Sequence, residues 1–168
     1  MIELISISIL HDNMKECIAL EVLPEQSTFV ASNAVSLAQA YDENRAYEQT
    51  GKGNIAVPYA VYENGIMVGF VMYGYFQPED GEDSYSKYEY YYYVWRLFVD
   101  KNHQGKGIGR ETLRLVMEEI KSKPYGEASN CYSSYVAANI ASKTTFSSYG
   151  YEEDGRVIEG EVVARYRL

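Results

Sequence analysis

The stretch Val94 to Arg110, VWRLFVDKNHQGKGIGR, constrains this chain more than any other. Its apolar opening (Val94, Leu97, Phe98, Val99) reads as a strand that runs into a polar corner at Asp100 to His103. Gln104, Gly105, Lys106, Gly107, Ile108, Gly109 and Arg110 follow, and then Leu113, Val116, Met117 and Ile120 recur at helical spacing. A glycine-rich turn between a strand and a helix leaves backbone N–H groups unpaired at the positive end of the helix dipole, where phosphate oxygens bind well. Glycine lets the backbone approach a diphosphate and adopt a positive φ. A Walker loop is excluded, since no GxxxxGK followed by Ser or Thr occurs. The dinucleotide fingerprint GxGxxG fails as well, because glycines at 105, 107 and 109 put the third one residue early. An ordinary glycine-rich turn is the plainer reading of the loop taken alone.

The rest of the chain sets bounds on that site. With 168 residues and 46% hydrophobic content it is long enough for a full core and is expected to be a single domain spanning residues 1–168. No apolar run approaches the ~20 residues of a membrane span. The start, MIELISISILHDN, lacks a basic n-region and reads as a strand. Two distant cysteines, Cys17 and Cys131, fit a reduced cytoplasmic protein, and with two histidines no structural metal site is expected. A formal charge of −9 argues against nucleic acid as a partner and is compatible with cationic substrates, although acidity alone also serves solubility.

Ile5, Ile7 and Ile9 alternate with serines as in a half-buried first strand. Asn13 is positioned to cap a helix over Met14 to Leu20, and Ser32 or Asn33 a second one carrying Val35, Leu37, Ala38 and Ala40. The polar stretch Asp42 to Asn54 reads as a loop. Val57 to Tyr62 and Ile66 to Phe76 form a hairpin across Asn64-Gly65, a pair that tolerates the two positive φ values of a type I′ turn. An acidic loop, Gln77 to Lys87, precedes a tyrosine-rich strand over Tyr88 to Val99. After the central helix come a strand at Ala128 to Val136, a helix at Asn139 to Tyr149 capped by Gly150, and two strands meeting at Glu159-Gly160. The tyrosines of the run Tyr90 to Tyr93 should alternate between the two sheet faces, two able to line a channel and two to pack under a helix.

The loop pattern Q-x-x-G-x-G after an apolar strand, together with this order of elements, resembles the GNAT N-acetyltransferase superfamily. So does Asn139 to Tyr151, NIASKTTFSSYGY, set beside the family segment N-x-x-A-x-x-L-Y-x-x-x-G-F, with Asn139, Gly150 and an aromatic Tyr151 retained. A narrower resemblance, to the Gram-positive spermidine/spermine (diamine) N-acetyltransferases, runs through EVLPEQSTFVASNAVSLAQAY, VYENGIMVGFVMY, WRLFVDKNHQGKGIGRETL, SSYVAANIA and GRVIEGEVVARYRL. It implies an α/β (α+β) fold, the GNAT acyl-CoA N-acyltransferase fold: a mixed, mostly antiparallel sheet splayed between its fourth and fifth strands and flanked by helices. It also implies acetyl-CoA as co-substrate, no metal, a small-molecule amine acceptor such as spermidine or spermine, and a family in which homodimers are possible.

Carried over residue by residue, the resemblance assigns the cofactor to Leu97, Phe98 and Val99 on the strand, to Gln104, Gly105, Lys106, Gly107, Ile108, Gly109 and Arg110 in the loop, and to Asn139 and Lys143 on the later helix. The acceptor falls to the N-terminal block, with Glu25, Gln26, Phe29 and Asn33 as candidates. The amine must be neutral to attack, and with a pKa near ~10.4 only about one alkylamine molecule in a thousand is neutral at physiological pH. Where several family members carry a glutamate base, eleven residues before the loop glutamine, this chain has Tyr93. Glu89 and Glu25 are the nearby carboxylates, and the sequence does not choose among the three. Phe146 stands where relatives commonly place a tyrosine acid, so the proton for the leaving thiolate has no evident donor. A non-catalytic acetyl-CoA-binding module, or an acetyltransferase for an aminoglycoside or protein amine, are the competing functions.

Overall fold

The computed structural model describes all residues except Ile9 and Glu82. Seven strands form one sheet in the order β1-β2-β3-β4-β5-β7-β6, with β1 at Ile2–Ser6, β2 at Ile55–Glu63, β3 at Ile66–Phe76, β4 at Tyr91–Val99, β5 at Asn130–Tyr135, β6 at Glu152–Ile158 and β7 at Glu161–Arg167. The helices are α1 at Met14–Ala19, α2 at Asn33–Thr50, α3 at Ile108–Lys121 and α4 at Ile140–Tyr149, with a 3-10 turn at Pro24–Gln26. Every strand pairing is antiparallel except that of β4 with β5. This is the splayed mixed sheet expected from the sequence.

The parallel pairing places the site. Tyr92 aligns with Cys131 and Tyr93 with Tyr132, and beyond those two pairs β4 and β5 no longer align. Ser133 spans the start of the divergence by donating its hydroxyl to the Val94 carbonyl at 3.0 Å. On the other edge of β4, Met72 pairs with Arg96 and Tyr73 with Val94, so Trp95 is an extra, bulged residue. At the end of the strand pair, where Gly69 aligns with Val99, β3 and β4 approach so closely that a β-carbon on Gly69 would collide with the Phe98 carbonyl oxygen.

Each sheet face has its own core. Leu113, Val116, Met117 and Ile120 of α3 are fully buried against Tyr73, Tyr92 and Val94, and Phe146 of α4 joins them. On the opposite face α1 and α2 cover Phe70, Met72 and Phe98. The tyrosine run alternates as strand geometry requires: Tyr92 packs toward α3, while Tyr91 and Tyr93 pack with Phe76 and Tyr132 on the other side.

Four expectations change. The first strand ends at Ser6, leaving Ile7 outside it, and Ile9 lies outside the described residues. Asn13 precedes α1 without capping it; its amide accepts from Ser8 N and donates to the Ser6 carbonyl, closing the turn after β1 instead. The polar stretch from Asp42 to Thr50 is helix, not loop, and α2 ends at Gly51 with φ of 66°. Asn44 anchors this half to β2 through two hydrogen bonds with the Ala56 backbone, so it needs no apolar stripe. Finally, β4 begins at Tyr91, because Ser86 turns the chain by donating its hydroxyl to the Glu89 carbonyl at 2.7 Å.

Candidate active site

The divergence of β4 and β5 opens a cleft of about 850 Å³. One wall is β4 from Val94 to Val99, the other is Ser133 to Tyr135 with the start of α4, and the turn before α2 covers the top. At one end lies the glycine loop. Gly105 and Gly107 have φ of 76° and 80°, and a β-carbon on either would meet no atom within 4 Å. Gly107 also begins α3 with no side-chain cap, so the first N–H groups of that helix have no intrahelical partner. An open, uncapped helix start of this shape fits the diphosphate of coenzyme A.

Gln104 organises this end. Its amide nitrogen donates to the Val99 carbonyl at 3.0 Å and to Gln26 Oε1 at 2.8 Å, while Gln26 Nε2 donates back to Gln104 Oε1 at 3.1 Å. Gln26 Oε1 also accepts from Leu23 N, so the turn at Pro24–Gln26 and the glycine loop share one amide clasp. Asp100 adds a second tie, accepting from Glu21 N and from both the backbone and side chain of Asn102. Burial pushes the Asp100 carboxyl up, but these hydrogen bonds outweigh it and hold the group below the ordinary carboxylate value.

The other end is polar in a different way. Ser134 donates its hydroxyl to Glu161, the first residue of β7, and lies 2.7 Å from Tyr93 Oη and 3.0 Å from Tyr85 Oη. Because the single serine proton goes to Glu161, both phenols must donate to Ser134, filling its two lone pairs. Burial, then the neighbouring Tyr85, pushes Tyr93 well above the ordinary phenol value, so it stays protonated and serves as a donor. Among the described residues Glu161 is the one carboxylate lining the cleft. Arg96 also lines it, donating to the Trp95 carbonyl and to Gln39 Oε1, with its guanidinium carbon 5.2 Å from the Trp95 ring centroid.

Most of the residues marked in the sequence meet here. Leu97, Phe98, Val99, Gln104, Gly105, Gly107, Ile108, Gly109, Arg110, Asn139, Phe146, Gln26 and Phe29 all line the cleft. Asn139 also caps α4, accepting from Ser142 N at 3.1 Å. Others lie elsewhere. Glu89 sits at the far end of β4, held by Ser129 and Asn130, because the chain has already turned at Ser86. Tyr93 lies behind Ser134 and does not line the cleft. Glu25 is exposed outside the cleft wall. Asn33 is buried and donates to the Cys17 carbonyl, which makes it a structural residue. Lys143 pairs with Glu153 at 2.9 Å, so the cleft-facing stripe of α4 runs through Ser142 and Thr145 instead. Lys106 turns back toward the Asn102 carbonyl.

Glu161, Ser134, Tyr85 and Arg96 escaped the sequence reading. Glu161 follows the Glu159-Gly160 turn, which identifies a strand start but not what faces it. Its meeting with Ser134 depends on the pairing of β5 with β7, where Ser134 aligns with Val163, and no local pattern encodes that register.

A sheet split between parallel strands, with a strand bulge on one side and an uncapped, glycine-led helix at its mouth, is the arrangement of an acyl-CoA N-acyltransferase. Residues 21–151 match the Acetyltransferase (GNAT) family, and the chain belongs to that family as an N-acetyltransferase. It is 30% identical over 159 residues to the probable spermine N(1)-acetyltransferase of Bacillus subtilis subsp. natto, covering 93% of each chain. It is 29% identical over 159 residues to the spermine/spermidine N(1)-acetyltransferase of Bacillus subtilis, again over 93% of each. Among solved structures the aminoglycoside acetyltransferase AAC(6′)-Ib in complex with coenzyme A and kanamycin shares the fold with a TM-score of 0.72 at 14% identity, over 99% of this chain and 95% of that one. The family uses acetyl-CoA. No helix among the described residues is long and apolar enough to cross a membrane.

Proposed function

We propose that this chain transfers the acetyl group of acetyl-CoA to a primary amine of a polyamine such as spermidine or spermine. The observation that carries the reading is the polarity of the cleft, with an uncapped helix start at one end and the Glu161 carboxylate at the other. The relatives named for spermine and spermidine support the acceptor class.

Acetyl-CoA supplies an acetyl thioester. The N–H groups at Gly107 to Arg110 hold its diphosphate, Asn139 and the exposed edge of β4 hold its arm, and a backbone N–H freed by the divergence of β4 stabilises the developing oxyanion. Glu161 draws in the alkylammonium and accepts its first proton, directly or through one water, with Ser134 keeping the carboxylate oriented. The neutral nitrogen forms the new C–N bond as the C–S bond breaks. Its second proton leaves with the thiolate, a tolerable leaving group because a thiol has a pKa near ~8.5.

The test is acetyl-CoA turnover against spermidine, spermine, a monoamine, an aminoglycoside and a peptide. A polyamine is expected as the best acceptor, with a KM that rises steeply with salt, since attraction of a polycation is screened over ~8 Å at physiological ionic strength. A neutral acceptor or monoamine preferred at every salt concentration overturns the polyamine assignment. Failure to turn over any amine overturns the transfer chemistry.

A further inference from the structure

The acceptor end of the cleft holds a charge that polyamine capture does not explain. Arg96 lines the same cavity as Glu161, yet forms no salt bridge with any described residue; its hydrogen bonds go to two neutral oxygens, those of Trp95 and Gln39, at 2.9 and 3.1 Å. Its Nε is buried without a partner. Burial disfavours the charged form of this guanidinium, with the neighbouring Tyr93 and Glu161 acting the other way. A guanidinium remains charged at any working pH regardless. A half-buried cation beside a site that must admit another cation works against substrate binding, and for capture alone a neutral side chain would serve better.

Chemistry, in contrast, needs the substrate nitrogen neutral. Contact with Glu161 stabilises the ammonium and raises its pKa, which is the wrong direction for attack. A fixed positive charge nearby opposes that. We propose that Arg96 tunes the bound acceptor: its field drives the proton off the substrate ammonium and holds the nitrogen as the nucleophilic free amine. Arg96 acts through space on the nitrogen and is a positioning residue in this sense. For two like charges ~6 Å apart at an effective dielectric of ~20, the repulsion lowers the ammonium pKa by up to about 2, and partial exposure reduces that to ~1. This rests on the amine acetyltransferase reading above.

Other groups bear on the same nitrogen. Glu161 comes from β7, Tyr93 and the neutral Trp95 from β4, and the neutral Gln39 from α2. Tyr135 of β5, His103 of the loop and Arg110 of α3 complete the titratable or charged lining, and Tyr85 stands behind Ser134. The comparison is repeated in an H103N background, so that the cleft histidine cannot account for a moving limb.

The experiment is a single-turnover pH profile with spermidine, on enzyme saturated with acetyl-CoA, for the unaltered protein, R96Q, R96M and R96K. The acid-side limb reports the protonation state of the bound complex. R96Q and R96M are expected to move it upward by ~1 pH unit, lowering the rate about tenfold at pH 7 and restoring it at high pH. R96K, which keeps the charge, is expected to hold the limb near its original position. Acetyl-CoA affinity by titration calorimetry should be the same in all four. A limb that does not move, with the rate reduced equally at every pH, overturns the inference and leaves Arg96 a packing residue. If R96Q does not fold, R96M, which keeps an unbranched stem over Trp95, decides the matter on the same criteria. Absence of turnover in the unaltered protein at every pH overturns the acetyltransferase reading itself, a result distinguishable from an immobile limb.

Discussion

The amide clasp between Gln26 and Gln104 predicts that the acceptor segment and the glycine loop behave as one mechanical unit. The two side chains exchange hydrogen bonds of 3.1 and 2.8 Å, and each also holds its own neighbourhood, Gln26 through Leu23 N and Gln104 through the Val99 carbonyl. Both residues are half-buried. A hydrogen bond of this kind contributes ~0.5–1.5 kcal/mol net, so two of them set an interaction energy of about 1–2 kcal/mol after allowance for partial exposure. Q26A, Q104A and the double variant, unfolded in urea, should therefore be non-additive: each single change loses both mutual bonds, and the second change finds them already gone. Q26A should also weaken acetyl-CoA binding severalfold although Gln26 belongs to the acceptor segment, because it releases the glutamine that anchors the loop. Strict additivity within ~0.3 kcal/mol, together with unchanged acetyl-CoA affinity in Q26A, would refute the clasp.

Three further outcomes are expected. Gly107→Val should weaken acetyl-CoA binding by at least an order of magnitude in calorimetry, since φ of 80° strains any side chain there and the added atoms fill the open space before α3. Phe146→Tyr should raise kcat on the best amine by ~10-fold or more, because the hydroxyls of Ser133, Ser134 and Tyr135 already donate to Val94, Glu161 and Glu153 and are not free to protonate the thiolate; an unchanged kcat means that water or another cleft hydroxyl, such as that of Thr145, already supplies the proton. Asp100→Asn should cost about 1–2 kcal/mol in urea unfolding at neutral pH. With a folded-state pKa held below the unfolded value, that difference is full above pH ~5 and shrinks as pH falls below ~4, which melts across that range would show.

How much of this was legible beforehand follows the range of the interactions. The hairpin at Asn64-Gly65, with φ of 52° and 81°, is local chemistry and is where the sequence puts it. The strand, loop and helix from Val94 onward are encoded in adjacent residues, which is why most of the residues singled out in that stretch line one end of the cleft. The polar half of α2 carries no local signal, because its anchor, Asn44 on the Ala56 backbone, is a contact across twelve positions that leaves no apolar period. The opposite end of the cleft is hidden more deeply. Counting back along β4 led to Glu89 and Tyr93, whereas the carboxylate that enters the cleft arrives on β7 through a strand pairing invisible to any window of sequence.

The most direct test of the account is the kinetics of Glu161→Gln. The substitution keeps the size of the side chain and its hydrogen bond from Ser134, and removes the charge and the proton acceptor. With the best amine it is expected to reduce kcat/KM by ~10²-fold or more, in the range of lost general-base catalysis, while acetyl-CoA affinity stays within twofold of the unaltered protein. Full activity in Glu161→Gln, with a loss in Glu89→Gln instead, would contradict the assignment of the acceptor end to the divergence of β4 and β5.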